Sequence, residues 1–148
     1  MGAFNMLIST KGRYALRVMI DLAEHPCDGF IPLKVIAQRQ EISEKYLESI
    51  IKLLVKAGHL NGLRGKGGGY KLTKAPEQYT VGAILRLTEG TLAPVSCLGE
   101  RAKHCPHMMD CRTFPLWKGL DQVISGYLNH ITIADLIFQG TSGNDYVI

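Results

Sequence analysis

The spacing of apolar residues along the chain predicts a helical N-terminal half. After Ser9, which can cap a helix, apolar side chains recur every three or four positions, and this first helix is expected to end near His25. A Pro26 and Asp28-Gly29 turn follows, and a short second helix is expected from about Pro32 to Gln40. Two amphipathic helices in quick succession indicate a compact helical unit.

A third helix is predicted a few residues later. Ser43 can cap it, Glu44 stands in its first turn, and Gly58 can close it as a C-terminal cap. Its apolar stripe consists of Tyr46, Leu47, Ile50, Ile51, Leu54 and Val55. Two short helices joined by a few residues, the second with polar first turns, are typical of a helix-turn-helix. Helical hairpins that bind nothing share this pattern, so it does not by itself establish DNA binding.

A β-hairpin is predicted directly after the third helix. Residues 59–64 and 70–73 read as short strands joined by the glycine-rich segment 65–69, which contains Lys66. A phosphate-cradling nucleotide loop is the competing interpretation, but its residue order is absent and a strand follows instead of a helix. A hairpin after a recognition-type helix is a wing, which lies along the DNA backbone and can bring Arg64 to the minor groove.

The C-terminal part is predicted to contain one long helix. Thr80 can cap a shorter helix that ends at Glu89-Gly90, and an irregular stretch follows. The long helix is marked by Leu116, Trp117, Leu120, Val123, Ile124, Tyr127, Leu128 and Ile131. Such a stripe can pack on the chain's own core, but a coiled-coil-like seam outside the winged unit favours pairing with a second copy. Thr132 and Asp135 resemble a capping box that opens a final short helix.

Charge is distributed unevenly along the 148 residues. Residues 1–90 carry 13 Lys and Arg against 8 Asp and Glu, whereas residues 91–148 carry 4 against 5. From Lys52 to Lys74 there is no acidic residue. A solvated face is the simpler interpretation, but a stretch of one sign is also what a phosphate-facing surface needs. No apolar run reaches membrane-spanning length and no signal peptide is recognisable, so a cytoplasmic protein without a membrane partner is expected.

Three cysteines fall within 15 residues, in the order C-x7-C-x5-C, and two histidines lie among them: Cys97, Cys105, Cys111, His104 and His107. Reduced thiols without a ligand are one interpretation, and disulfides are disfavoured in the cytoplasm. A bound metal would order a loop that has few apolar residues. Zinc favours closer cysteine pairs, whereas the wider spacing suits an iron–sulfur cluster. Spacing alone leaves a metal or cluster and free thiols both open.

No enzymatic activity is predicted for the chain, and no functional role is predicted for Cys27. Cys105 could form a nucleophile pair with His104 or His107, but immediate neighbours in sequence rarely reach the required geometry, and no oxyanion-stabilising group is recognisable. The chain is therefore predicted not to be an enzyme and to have no small-molecule substrate. The separate Cys27 follows the first helix and is interpreted as a structural bystander.

Several motifs together resemble the Rrf2 family of bacterial transcription regulators. They are residues 8–16 (Ile-Ser-Thr-Lys-Gly-Arg-Tyr-Ala-Leu), Ile42-Ser43, Tyr46-Leu47-Glu48 and residues 64–70 (Arg-Gly-Lys-Gly-Gly-Gly-Tyr). The resemblance continues through the three cysteines and Leu116-Trp117 into residues 128–132, so it covers nearly the whole chain. The most similar branch is that of IscR-like regulators, which carry an iron–sulfur cluster, and the nitric-oxide-sensing NsrR-like branch is the near rival.

The resemblance implies a homodimer with a winged helix-turn-helix at each end, crossed by the long helices, with the cluster in the cysteine loop. It assigns DNA contact to the residues of the recognition helix and the wing: Ser43, Lys45, Tyr46, Glu48, Ser49, Arg64 and Lys66. Of these, Arg64 takes the minor-groove position. The Glu48 carboxylate can accept a hydrogen bond from cytosine N4 but repels phosphate, so it is expected to select between DNA sites.

The chain departs from both branches at the fourth cluster ligand. The IscR-like branch has a histidine three residues after the last cysteine, where this chain has Phe114, and the nitric-oxide branch has a carboxylate on the first helix, where this chain has Arg13. His107 is the tentative fourth ligand. The other candidates for the fourth ligand are His104, Glu100, Asp110, a partner-chain residue or a small molecule. The cluster type, [2Fe–2S] or [4Fe–4S], stays open. A zinc-stabilised or metal-free loop controlled by a protein partner is the alternative.

The predicted architecture is mainly α with a small β-hairpin wing, followed by a long C-terminal dimerisation helix. Residues 1–90 are expected to form the winged helix-turn-helix and residues 91–113 the cluster-binding loop. Residues 114–140 are expected to form the dimerisation helix and a short final helix, and residues 141–148 a flexible tail.

Overall fold

The computed structural model describes residues 8–98, 106–107 and 109–142, with the backbone alone for residues 138–142. Its elements are α1 (Thr10–Glu24), α2 (Leu33–Gln40), α3 (Glu44–Lys56), β1 (Leu60–Leu63), β2 (Gly69–Leu72), α4 (Val81–Glu89), α5 (Phe114–His130) and α6 (Ile133–Ser142). Short 3₁₀ turns cover Pro76–Gln78 and Ser96–Leu98. The predicted mainly-α fold with a hairpin wing is confirmed. Among the helices described, none combines the length and apolarity that crossing a membrane requires.

Local hydrogen bonds start the helices where the sequence predicts. The hydroxyl oxygens of Ser9, Ser43 and Thr80 each accept a hydrogen bond from the backbone N–H three residues later, at 3.0–3.2 Å. Thr132 and Asp135 form the reciprocal pair of a capping box, at 2.9 and 3.2 Å. Because these bonds use side chains that are close in sequence, they form wherever the local sequence allows.

One hydrophobic core joins the N-terminal helices to the C-terminal helix. Its fully buried members include Met19 of α1, Ile50 of α3 and Ile84 of α4. Ile133 of α6 belongs to the same core, and α6 packs against α1. The final helix therefore completes the N-terminal unit, and it includes the first two residues of the segment predicted as a tail.

A buried carboxylate on α1 holds the C-terminal end of α2, the first helix of the helix-turn-helix. Asp21 is 1% exposed and accepts hydrogen bonds from Arg39 Nε at 3.0 Å and Gln40 Nε2 at 2.8 Å. The hydrogen bond with Asp21 raises the pKa of Arg39. Glu41, which ends α2, adopts the left-handed region at φ 54°, a conformation that costs a non-glycine residue about 1 kcal/mol. The tight turn toward α3 requires this conformation.

The wing is an antiparallel hairpin that is also bonded to the body of the domain. Leu60 pairs with Leu72, and Leu63 pairs with Gly69. Ile31 N–H donates to the Tyr70 carbonyl at 2.9 Å, and Tyr70 N–H donates back to Ile31 at 2.8 Å. At Gly69, with φ 148°, a Cβ atom would lie 2.2 Å from the Ile31 oxygen. Glycine is therefore required where the wing meets the body.

A buried tyrosine connects the root of the wing to the end of α5. The Tyr79 hydroxyl donates to the His59 carbonyl at 2.9 Å and accepts from the backbone N–H groups of Thr73 and Lys74 at 3.0 and 2.9 Å. The Tyr79 carbonyl accepts from Ile133 N–H at 2.9 Å. A single residue thus links both strands of the wing to the α5–α6 junction.

The C-terminal end of α5 is attached to α4 by further hydrogen bonds. Val81 N–H donates to the Ile131 carbonyl at 2.8 Å, and Arg86 Nη1 donates to Asn129 Oδ1 at 2.6 Å. A Cβ atom on Gly82 would lie 2.2 Å from Asn129 Oδ1, so glycine permits this close approach. The long helix is therefore anchored at its C-terminal end.

Replacing the buried carboxylate should destabilise the helix-turn-helix. We expect Asp21→Ala to lower the free energy of unfolding by about 2–3 kcal/mol, because it leaves the Arg39 and Gln40 donors without their acceptor. Urea denaturation measures this change. The matched control is Asp28→Ala, which removes an exposed carboxylate in the turn after α1. An equal, small effect of both substitutions would contradict this role of Asp21.

Candidate DNA-binding surface and cysteine loop

The first two turns of α3 present a polar, exposed face. Five of the predicted DNA-contacting side chains lie on it and are exposed: Ser43, Lys45, Tyr46, Glu48 and Ser49. Leu47 and Ile50 are buried between them and hold the helix on the core. The helical period therefore separates an inner packing face from an outer face that is available to a ligand.

Two residues of α1 extend this face, and sequence reasoning missed them. The Tyr14 ring packs edge-on against Tyr46, with ring centroids 5.9 Å apart. The Arg17 guanidinium lies 5.0 Å from the centroid of the Tyr14 ring. Tyr14 belongs to the motif at residues 8–16, but the sequence does not reveal that its ring meets α3 or that Arg17 donates a hydrogen bond to Gln40 of α2 at 3.0 Å.

Glu48, which is expected to select between DNA sites, has a basic neighbour. Lys52 Nζ lies 3.5 Å from Glu48 Oε1, one helical turn away, and both side chains are largely exposed. An exposed pair of this kind contributes little to stability. It does place a positive charge beside the carboxylate that faces outward from α3.

The wing carries the remaining predicted DNA contacts on its tip. Arg64 and Lys66 are exposed in the loop between the strands, which a Gly68 N–H to Gly65 carbonyl hydrogen bond of 3.0 Å closes. Within the described part of the chain, neither basic side chain forms an ion pair. β1 follows α3 and packs against it, so the wing is attached to the helix that carries the polar face.

The structure describes two of the three loop cysteines. Cys97 lies in the Ser96–Leu98 turn, which packs against α5, and Cys111 precedes α5 by three residues. Both are half-buried free thiols. Cys111 Sγ lies 3.4 Å from Thr113 Oγ1, and this hydrogen bond lowers the pKa of the thiol. Cys105, together with His104 and Glu100, lies outside the described residues.

These donors fit an iron–sulfur cluster in their chemistry. Iron binds the thiolate, which a lowered pKa of Cys111 favours. His107 and Asp110 are exposed in one turn, where Asp110 N–H donates to the His107 carbonyl at 3.0 Å. Phe114, at the position of the family's histidine, has no atom that can bind metal. Over the described residues, which exclude Cys105, no three ligating side chains converge.

The long helix has an apolar face that the described part of the chain leaves uncovered. Within the described structure no residue of α5 is buried. Leu116, Val123 and Tyr127 are 60%, 67% and 65% exposed and lie on one side of the helix, because they are seven and four residues apart. An apolar stripe of this kind is typical of helices that pair.

Comparison with known proteins agrees with this arrangement of elements. The model of the Rrf2 family, described as iron-dependent transcriptional regulators, matches residues 8–139. The chain belongs to the Rrf2 family. The HTH-type transcriptional regulator IscR of Serratia proteamaculans (strain 568) is 39% identical over 132 residues, which are 89% of this chain and 79% of that protein. The IscR of Erwinia tasmaniensis matches to the same extent.

Solved structures of Rrf2 winged-helix regulators are also similar. CymR (YrzC), the global cysteine regulator of B. subtilis, superposes with a TM-score of 0.72 at 37% identity, covering 89% of this chain and 96% of that one. The T. potens IscR superposes with a TM-score of 0.68 at 33% identity, covering 99% and 96%. The predicted Rrf2 resemblance is confirmed: this Rrf2 protein is an IscR-like transcriptional regulator, a class that is not enzymatic.

The surroundings of a histidine at the root of the wing disfavour its charged form. His59 packs edge-on against Tyr79, with ring centroids 5.6 Å apart, and its buried Nδ1 has no hydrogen-bond partner in the described structure. Burial, and then the charge of Lys74, lowers the pKa of His59. Protonation would therefore place an unpaired charge between the wing and the core.

The wing root should lose stability in acid. Because the folded-state pKa of His59 lies below the unfolded value of 6.5, stability is complete above that pH and falls as the pH drops through it. We expect His59→Gln to reduce the slope of unfolding free energy against pH in this range, measured by urea denaturation. The control His130→Gln changes an exposed histidine at the end of α5 and should leave the slope unchanged. The same slope in wild type and His59→Gln would contradict this prediction.

Proposed function

We propose that this chain is a cytoplasmic, homodimeric regulator whose affinity for operator DNA depends on an iron–sulfur cluster bound by Cys97, Cys105 and Cys111. The observation that carries the proposal is the exposed polar face of α3, followed by a wing whose basic tip is exposed, in a chain of an iron-dependent regulator family. Residues 1–90 would form the DNA-binding domain and residues 91–113 the cluster-binding loop. Residues 114–140 would form the dimerisation helix and the short final helix, and residues 141–148 a flexible tail.

In this proposal α3 enters the major groove and the wing follows the DNA backbone. The exposed side chains of α3 supply the polar contacts to base edges and phosphates, through Ser43, Lys45, Tyr46, Glu48 and Ser49. Arg64 reaches the minor groove, where the negative potential attracts a guanidinium, and Lys66 contacts phosphate. Lys45, Lys52 and Lys56 add positive charge to the same helix.

Glu48 is proposed to discriminate between operators. A cytosine N4 amine can donate to its carboxylate, whereas a site without that donor leaves the carboxylate desolvated and near phosphates. The 3.5 Å contact with Lys52 partly offsets this repulsion. Discrimination therefore depends on the pair and not on Glu48 alone.

Arg64→Ala should weaken binding to the operator, obtained by selection from random duplexes. We expect about a tenfold rise in Kd at moderate salt, because one minor-groove guanidinium is lost. Fluorescence anisotropy measures the change. The matched control Lys118→Ala removes one exposed positive charge from α5 and should have little effect. An unchanged Kd for Arg64→Ala would mean that the wing does not contact the operator as proposed.

The homodimer is proposed to form through the exposed face of α5. Burying Leu116, Val123 and Tyr127 against a second copy would remove the exposed large apolar side chains of α5 from water. The anchoring of α5 at its C-terminal end would then set the distance between the two DNA-binding domains of the dimer. A two-fold arrangement of this kind suits an operator with two half-sites.

Val123→Glu should disrupt the dimer. A carboxylate at the centre of the apolar stripe would face the same charge across a two-fold axis, so we expect monomers at micromolar concentration by light scattering. The control Gln122→Glu adds the same charge at the adjacent exposed position and should leave the dimer intact. A dimer that persists in Val123→Glu would place the interface elsewhere.

In the cysteine loop, cysteine side chains would supply the thiolate ligands, and a neighbouring threonine positions one of them. Thr113 holds the thiol of Cys111 and favours its deprotonated form. Because Cys111 lies just before α5, ligation there would restrain the start of that helix. His107 is the proposed fourth ligand. A bound cluster would supply a centre that reacts with oxidants or nitric oxide, so that the loop can respond to a signal.

Cys111→Ser should lose the cluster. We expect protein purified without air to contain iron and sulfide and to absorb visible light, and Cys111→Ser to contain much less of both, because serine is a poor ligand for iron. The control Cys27→Ser changes a cysteine in the turn after α1 and should retain the wild-type content. Wild-type protein that is colourless, iron-free and resistant to reconstitution would contradict the cluster.

The replacement of the family's histidine by Phe114 favours one alternative. A loop that binds zinc, or no metal, could be controlled by a protein partner instead. Metal analysis of the same samples distinguishes the two, because stoichiometric zinc without sulfide would support the alternative.

A further inference from the structure

A cavity lies between the helix-turn-helix body and the wing, on elements that carry none of the loop cysteines. It is lined by the C-terminal end of α1, the turn before α2 and strand β2, is open to solvent on one side, and has a volume of about 390 Å³. Part of its wall is apolar, from Leu22, Ile31 and Leu72. This volume falls within the range of small-molecule sites, which combine apolar walls with a few polar groups.

The polar part of the wall has one sign of charge. Lys71, Lys74 and His25 line the cavity, and no carboxylate does. Within the described residues neither lysine forms an ion pair. The Lys71 ammonium lies 4.7 Å from the centroid of the Phe30 ring, which restrains its position. Unpaired ammonium groups beside an apolar wall are complementary to an anion with an apolar body.

We propose that this cavity binds a small organic carboxylate, with the acid group near Lys71 and Lys74 and the apolar body against Leu22, Ile31 and Leu72. Such a ligand would touch α1 and β2 together. Ile31 also forms the backbone bridge to the wing at Tyr70, so an occupied cavity would stiffen the attachment of the wing. Carboxylate binding as such requires neither the proposed cluster nor the proposed DNA contacts.

Titration calorimetry of the full-length chain tests the site with defined probes. The probes are 3-phenylpropionate and octanoate, each compared with its neutral primary amide. We expect saturable binding of at least one carboxylate at millimolar concentration or below, with one site per chain, and about tenfold weaker binding of its amide. No saturable binding of either carboxylate, or equal binding of acid and amide, would overturn the proposal.

Variants locate the binding. The double substitution Lys71→Gln and Lys74→Gln should weaken carboxylate binding about tenfold, because two charge contacts are lost. The charge-matched control is the double substitution Lys11→Gln and Lys118→Gln, on parts of α1 and α5 that do not line the cavity, and it should bind as wild type. Full retention of binding by the double variant would overturn the proposal.

Two further readouts act on the cavity itself. Ala23 lines it, so Ala23→Leu should fill it and abolish binding while the circular dichroism spectrum stays native. Cys27 also lines the cavity and is exposed, so a bound carboxylate should slow its alkylation in wild-type protein, measured by peptide mass spectrometry. Native Ala23→Leu protein that binds normally, or alkylation of Cys27 unaffected at saturating carboxylate, would overturn the proposal.

Discussion

Tyr79 stands where three parts of the molecule meet, and their relative positions depend on its hydrogen bonds. Its hydroxyl ties the ends of both wing strands together, and its carbonyl holds the start of α6. The residue is almost fully buried, so loss of its partners would leave a buried hydroxyl unsatisfied. The root of the wing and the start of α6 are thereby joined through one residue.

This arrangement gives a physical route between the proposed sensing loop and the proposed reading surface. α5 begins just after Cys111 and ends at His130, and the carbonyl of the next residue, Ile131, is bonded to Val81. A change at the start of α5 can therefore reach Tyr79 and the wing root through a helix and a short set of hydrogen bonds. Coupling along this route requires two states of the protein that the loop biases differently.

Local features of the sequence predicted the helices, their caps and the wing, because capping side chains and turn glycines act within a few residues. The left-handed Glu41 was not predictable, since a tight turn imposed by packing overrides its preference. Nor were the Asp21 network, the contact of Tyr14 with Tyr46, and the packing of α6 on α1, because each depends on residues distant in sequence. Similarly, the spacing of the cysteines indicated the donor chemistry but not the fourth ligand.

The central claim is that occupancy of the cysteine loop controls the affinity for DNA. The most direct test is the operator Kd of one anaerobic preparation, measured before and after removal of its iron by chelation, with retention of the fold checked by circular dichroism. If the cluster controls DNA binding, the operator Kd should change about tenfold or more on removal of iron, as expected for an allosteric coupling of about 1–3 kcal/mol. An operator Kd that is the same with and without the cluster would contradict it.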